Sequence, residues 1–191
     1  MSLKISVVSI ALVLALLCMS SCSGDERGEY SAIFERPFSA KISVTNDEME
    51  YKATLTLYGI PSQDTDDNSE TESNSSFQRD GNIVYTYPES IAGITAVRTS
   101  GNVTINVSTV TVTPSASVGQ RYVALLDMLD MRSRELLRFE KDTQQDADVR
   151  CLTFLHSGSE LAVTLDAKTR IPISLEGDGT RIVFEEFIYI N

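Results

Sequence analysis

The sequence predicts a mainly β protein of the α+β class: a curved antiparallel sheet, or half-barrel, with one helix packed on its concave face. Three observations point there. Apolar residues alternate with polar ones from Phe38 almost to the C-terminus, the period of strands with one buried face. Short runs of Gly, Asn, Asp and Pro interrupt the alternation at hairpin spacing. Once only, over residues 118–129, the period changes to three and four, the spacing of an amphipathic helix. Strands in this sequential order pair with their neighbours, and a long twisted meander curls around whatever covers its apolar face.

Each element has its own signal. Phe38, Ala40, Ile42 and Val44 share one face, Asn46, Asp47 and Glu48 supply a turn, and Met49, Tyr51, Ala53, Leu55 and Leu57 return along a second strand. Residues 62–76 are nearly all Ser, Thr, Asp, Glu, Asn and Gln, and read as a solvated acidic loop. Strands resume over 83–87 until Pro88, then over 94–99 and 103–108 around a Ser100-Gly101-Asn102 turn. The β-branched run at 110–113 continues them to Pro114. In the helix, Val118, Tyr122, Leu125, Leu126 and Leu129 form the apolar stripe, Asp127 and Asp130 face away, and Ser115 or Ser117 is the cap. Residues 136–139 either extend the helix or open the next strand; the strand is preferred. The last third offers strands at 149–156, 160–166, 171–175 and 181–190, with turns at Gly158, Lys168-Thr169 and Gly177-Asp178-Gly179. The final strand carries apolar residues at both parities, so both of its faces hold apolar groups. Its neighbouring Glu185 and Glu186 are expected on opposite faces. The total is about nine strands and one helix.

Composition narrows the function. A chain of 191 residues, 42% hydrophobic, supports one domain with a real core and is not disordered throughout. Lys plus Arg number 16 against 27 Asp plus Glu, a net charge of −11, which argues against nucleic-acid binding because phosphates need a basic face. The N-terminus reads as an export signal. Lys4 gives a short positive region, and residues 5–17 are apolar except for Ser6 and Ser9. That run is shorter than the roughly 20 residues a span needs, which leaves a short permanent anchor as the lesser alternative. Met19-Ser20-Ser21-Cys22 then resembles the lipobox of bacterial lipoproteins, in which a diacylglycerol is attached to the cysteine and the signal is cut before it. Cys18 competes, but Leu16 and Leu17 are large for positions beside a cut.

The expected organisation is therefore a signal peptide at 1–21, lipidated Cys22 with a polar tether at 22–37, and a β domain at 38–191 with its acidic loop at 62–76. Loss of Lys4 makes the chain one unit more negative than −11, so the lipid rather than the folded surface would hold it to an anionic bilayer. Cys151 is then the one cysteine left without a lipid, and no intramolecular disulfide forms. The expected place is outside the cytoplasm, at the cell membrane, with no cofactor beyond the diacylglycerol on Cys22.

Lipobox, strand pair, the Pro88 to Gly93 segment, a Pro-ended strand before a helix and a closing meander together resemble the LolA-like lipoproteins of Firmicutes. The segment Glu160-Leu161-Ala162-Val163-Thr164-Leu165-Asp166, followed by Thr169-Arg170-Ile171-Pro172, is similar to that family's strand, acidic turn and proline-marked strand. The long helix that precedes the first strand in the carriers is missing. The resemblance implies a LolA-like half-barrel and two non-catalytic roles. One is a pocket for an acyl lipid or lipidated polypeptide, lined by Tyr122, Leu125, Leu126 and Leu129 on the helix with Leu161, Val163 and Phe184 opposite. The other is docking of a protein partner in the cell envelope, as in the germination-type lipoproteins that bind and activate a cell-wall amidase. Partner docking is preferred, through an exposed strand edge and an acidic face, because a tethered domain cannot shuttle cargo far.

Enzyme chemistry finds little support. His156, the single histidine, ends a strand beside Ser157 and Ser159, with no Gly-x-Ser-x-Gly elbow in the chain. Cys151 reads as a small buried hydrophobe with Arg150 on the opposite face. Residues 64–70 resemble a calcium loop, but Ser69 stands where Gly is needed and Ser75 where the bidentate Glu is needed. No metal site is expected. The sequons at Asn74, Asn102 and Asn106 carry no weight behind a bacterial lipoprotein signal.

Overall fold

A computed structural model describes residues 32–46, 49–59, 79–131, 134–144 and 146–190. The signal peptide, Cys22, most of the tether and the acidic loop 62–76 with its calcium-like segment lie outside the described residues. A short 3-10 helix, Ala32–Phe34, leads into β1 (Phe38–Thr45) and β2 (Glu50–Leu57). After these come β3 (Gly81–Tyr87), β4 (Thr95–Thr99), β5 (Asn102–Val107), β6 (Val110–Val112) and α1 (Ala116–Leu129). The chain closes with β7 (Leu136–Gln144), β8 (Ala147–His156), β9 (Ser159–Asp166), β10 (Pro172–Gly177) and β11 (Thr180–Tyr189). All eleven strands form one curved, unclosed antiparallel sheet in the order β6-β5-β4-β3-β2-β1-β11-β10-β9-β8-β7. The first and last strands thus pair in its middle, and β6 and β7 are its two rims.

Two strands exceed the expected nine. Val110–Val112 does not continue β5 but folds back on it, because Ser108 takes a left-handed φ of 55° and turns the chain so that Val107 faces Val110. Leu136–Gln144 is a full strand along β8, in line with the preferred reading of residues 136–139.

The alternation does what period two requires. Phe38, Ala40, Ile42 and Val44 are all buried, as are Ala53, Leu55 and Leu57 opposite them on β2 and Leu161, Val163 and Leu165 on β9. Helix α1 covers part of this face, lying against β3, β4 and β5. It approaches closely at Gly119, where an added Cβ would meet Val103 at 3.0 Å and Pro114 at 3.1 Å. The buried stripe of the helix is Gly119, Val123, Leu125, Leu126 and Leu129, rotated from the expected one. Val118 is 45% exposed and Tyr122 half-buried. Ser115 occupies the N-cap position without a side-chain capping bond.

On β11 the expectation of opposed glutamates fails. Lys41 of β1 faces Glu186 while the next residue, Ile42, faces Phe184, so Glu185 is the extra residue of a β-bulge. Both carboxylates therefore reach the outer face, where Glu186 meets Lys41 at 2.9 Å and Glu185 meets Lys52 and Ser43 at 2.7 Å each. The bulge also switches the inward parity of the strand. Ile182 and Phe184 point in before it, and after it Phe187 stacks on buried Phe38 with centroids 4.7 Å apart while Ile188 is 62% exposed.

Candidate binding surfaces and the concave-face site

The seven residues expected to line a pocket lie on the concave side of the sheet and on the helix. Leu126, Leu129 and Val163 have no exposed surface, Leu161 has 1%, Leu125 5% and Phe184 9%. Tyr122 sits at the margin and its carbonyl accepts a hydrogen bond from the Tyr85 hydroxyl at 3.0 Å. Tyr51, Tyr85 and Tyr122 form a chain of rings 5.7 and 6.2 Å apart. Burial pushes the Tyr51 hydroxyl up to about 12 and the Tyr85 hydroxyl up further, as expected for phenols held in an apolar wall.

The same side of the sheet holds a charge that sequence reading missed. Arg98 of β4 has no exposed surface. Its Nε donates to the Arg79 carbonyl at 2.8 Å and its Nη1 to Asp127 Oδ1 of α1 at 2.5 Å. Asp127 therefore does not face away from the sheet, because a buried guanidinium requires an anion. Gln120 donates to the other Asp127 oxygen, and Arg134 to the Asp127 carbonyl. Arg79, only 2% exposed, donates to the carbonyls of Phe34, Arg36 and Tyr58, fastening the 3-10 turn to the sheet. Nothing in the alternation marks Arg98, since apolar Val97 beside it competes for the inward parity.

His156 pairs with Ser159 across the β8–β9 turn, and Cys151 lies further back on β8. His156 ends β8, half-buried over a shallow hollow that it shares with Met128, Ser159, Glu160, Leu161, Gly177 and Asp178. Burial lowers its pKa, and Arg134 lowers it further. Cys151 is half-buried rather than buried, and burial first, then nearby Asp142 and Glu140, push its thiol up. That is the reverse of what activates a cysteine. Among the described residues, no group of three or more His, Cys, Asp or Glu is placed to hold a metal. Among them too, no helix is long and apolar enough to cross a membrane.

The two rims differ. Rim strand β7 presents Leu137, Arg138, Glu140, Lys141 and Asp142 as exposed side chains, with Asp146 and Asp148 exposed at the adjoining hairpin. Rim strand β6 is exposed along its whole length and carries only Val110, Thr111 and Val112. Ile173 of β10 and Val183 and Ile188 of β11 are exposed, as are Ile171 just before β10 and Ile190 just after β11.

Fold and surfaces together define an open antiparallel half-barrel with one helix on its concave side. No protein-family model matches the chain, and no curated protein does. Among solved structures it is similar to an uncharacterized conserved protein from Thermus thermophilus, with a TM-score of 0.50, 13% identity and 88% of each chain covered. Lower scores relate it to MucB, also solved in complex with MucA(peri), at 0.48 and 10% identity over 88% of this chain and 59% of that one. A putative outer membrane lipoprotein-sorting protein domain from Vibrio parahaemolyticus scores 0.43 at 10% identity, over 86% and 89%. At such identities the likeness to the Thermus protein is one of fold alone.

Proposed function

We propose that the chain is a non-catalytic, extracytoplasmic lipoprotein of LolA-like type, anchored through a diacylglycerol on Cys22, that docks a protein partner in the cell envelope. Its affiliation with the Firmicutes and germination-type lipoproteins belongs to the same reading. The observation that carries it is rim strand β7. Among the described residues it is the last strand of the sheet, with β8 on one side. Its exposed Leu137 sits among charges, and its hairpin end carries Glu140, Asp142, Asp146 and Asp148 beside Lys141. An edge of this kind offers main-chain bonds to an extended segment, and the acids select a basic one.

The test places a photoreactive residue at Leu137 in living cells and looks for one discrete protein adduct. Combined Glu140→Lys, Asp142→Lys and Asp148→Lys should abolish that adduct, with membrane fractionation and thermal melting unchanged. Absence of any adduct, or one indifferent to charge reversal, defeats the docking reading. Lipid binding on the concave face is the alternative; Leu125, Leu126, Leu129, Leu161, Val163 and Phe184 are packed there as core, so this reading requires the helix to part from the sheet. Native mass spectrometry of the purified protein, with organic extraction of any adduct, separates the two. A co-purifying acyl lipid supports the pocket.

A further inference from the structure

We infer that rim strand β6 pairs antiparallel with β6 of a second copy of this chain, on a two-fold axis at Thr111. The first observation is the contrast between the rims. Exposed sheet edges are ordinarily guarded against pairing by charged residues. Rim strand β7 has such residues in Arg138, Glu140, Lys141 and Asp142, which turn away a like strand and admit only a segment of complementary charge, whereas no charged residue lies anywhere between Arg98 and Arg121. In a chain of net charge −11, this is where two copies meet without like-charge repulsion.

The second observation names the occupant. Residues Thr109, Val110, Thr111, Val112 and Thr113 read the same in both directions. Antiparallel pairing centred on Thr111 therefore sets Thr111 opposite itself, Val110 opposite Val112 of the second copy, and Thr109 opposite Thr113. Side chains match on both faces. Val112 lies opposite Ile105 and Val110 opposite Val107, so the valines continue the concave side, while Thr111 is on the outer side with its Oγ1 donating to Asn106 Oδ1 at 2.7 Å.

Backbone geometry agrees. Val107 and Val110 close a two-residue turn, which makes them the hydrogen-bonded pair and turns the N–H and C=O of Thr111 away from β5. Among the described residues nothing pairs with that outward edge. Val107, Val110 and Val112, exposed at 46%, 58% and 48%, would be covered together. The inference is independent of partner docking at β7 and stands or falls without it.

Sedimentation equilibrium of the full chain in neutral detergent, up to about 100 μM because so short a strand pair binds weakly, should show the mass of two protomers. Thr111→Lys and Thr111→Glu each put like charges face to face across the axis, and each should weaken association about threefold or more. An equimolar mixture of the two variants should associate again, because the ammonium introduced in one copy then faces the carboxylate introduced in the other. Both substitutions keep every backbone bond of the protomer, and unchanged melting confirms intact folding. A wild-type chain that stays monomeric overturns the inference, as do single variants that remain dimers or a mixture that does not recover. Recovery in the mixture is the result that an edge made for some other protein's strand would not give.

Discussion

A guanidinium with no exposed surface is costly to bury unless it is paired and hydrogen-bonded. Arg98 is tolerable because Asp127 reaches down from α1 and the Arg79 carbonyl accepts its Nε. The two partners are unequal, for the Arg98 side chain is wholly buried while that of Asp127 is 27% exposed. Removing the acid strands a buried cation, whereas removing the base leaves an acid still in touch with water and Gln120. Asp127→Ala should therefore cost about 3 kcal/mol in urea unfolding, and Arg98→Met only about 1 kcal/mol. The double variant should sit close to Arg98→Met. Equal costs for the two single changes would mean that the pair does not span the sheet–helix contact as described. None of this was legible beforehand. Alternation assigns inward positions by hydropathy, and at β4 it has Val97 at one parity and Ala96 with Arg98 at the other, so the apolar bet falls on the wrong face.

At the scale of elements, β11 shows why a strand can look apolar on both sides and still be half-buried. Its inward residues are Ile182 and Phe184 before the bulge and Phe187 and Tyr189 after it. The aromatic half packs with Phe34 and Phe38, and Arg36 lies 4.4 Å over the Tyr189 ring. Sequence reading saw both parities filled but not the extra residue that reconciles them. Strand positions, the order of hairpins and the existence of the helix were legible, because each rests on a period repeated over many residues. Rotation of the helix was not, since Val118 fits the apolar stripe as well as Val123 does and only the close approach at Gly119 decides between them.

The bulge makes an unusual expectation. Deleting one residue from a strand ordinarily turns every later side chain to the other face. Deleting Glu185 instead joins Lys41↔Glu186 and Ile42↔Phe184 into a regular ladder, so Tm should fall by only a few degrees. Inserting Ala between Glu186 and Phe187 turns Phe187 and Tyr189 outward and should cost about 3 kcal/mol or more. Thermal and urea unfolding of the two variants checks both, and a deletion as damaging as the insertion refutes the bulge.

For the whole molecule, the governing facts are a net charge of −11 and a sheet that never closes. An acidic protein is repelled by an anionic bilayer, so its folded surface supplies no reason to stay at a membrane. Anything that held it there would have to be local and strong. Under the lipoprotein reading that element is the acylated Cys22, since more than one acyl chain on one residue is enough for stable attachment. Cys22→Ala should then shift the protein wholly from the membrane pellet to the soluble fraction, and the shift should be complete in low salt, where repulsion between acidic surfaces is least screened. Cys18→Ala should leave it in the pellet, because Leu16 and Leu17 make Cys18 the poorer site. Fractionation at low and high salt, with metabolic labelling by a fatty-acid analogue, reads both variants. If the Cys22→Ala protein stays in the pellet without label, the apolar stretch at 5–17 is itself the anchor and the lipobox reading is wrong. Release on Cys18→Ala instead would move the lipid to that residue and lengthen the tether by four residues, Met19 to Cys22.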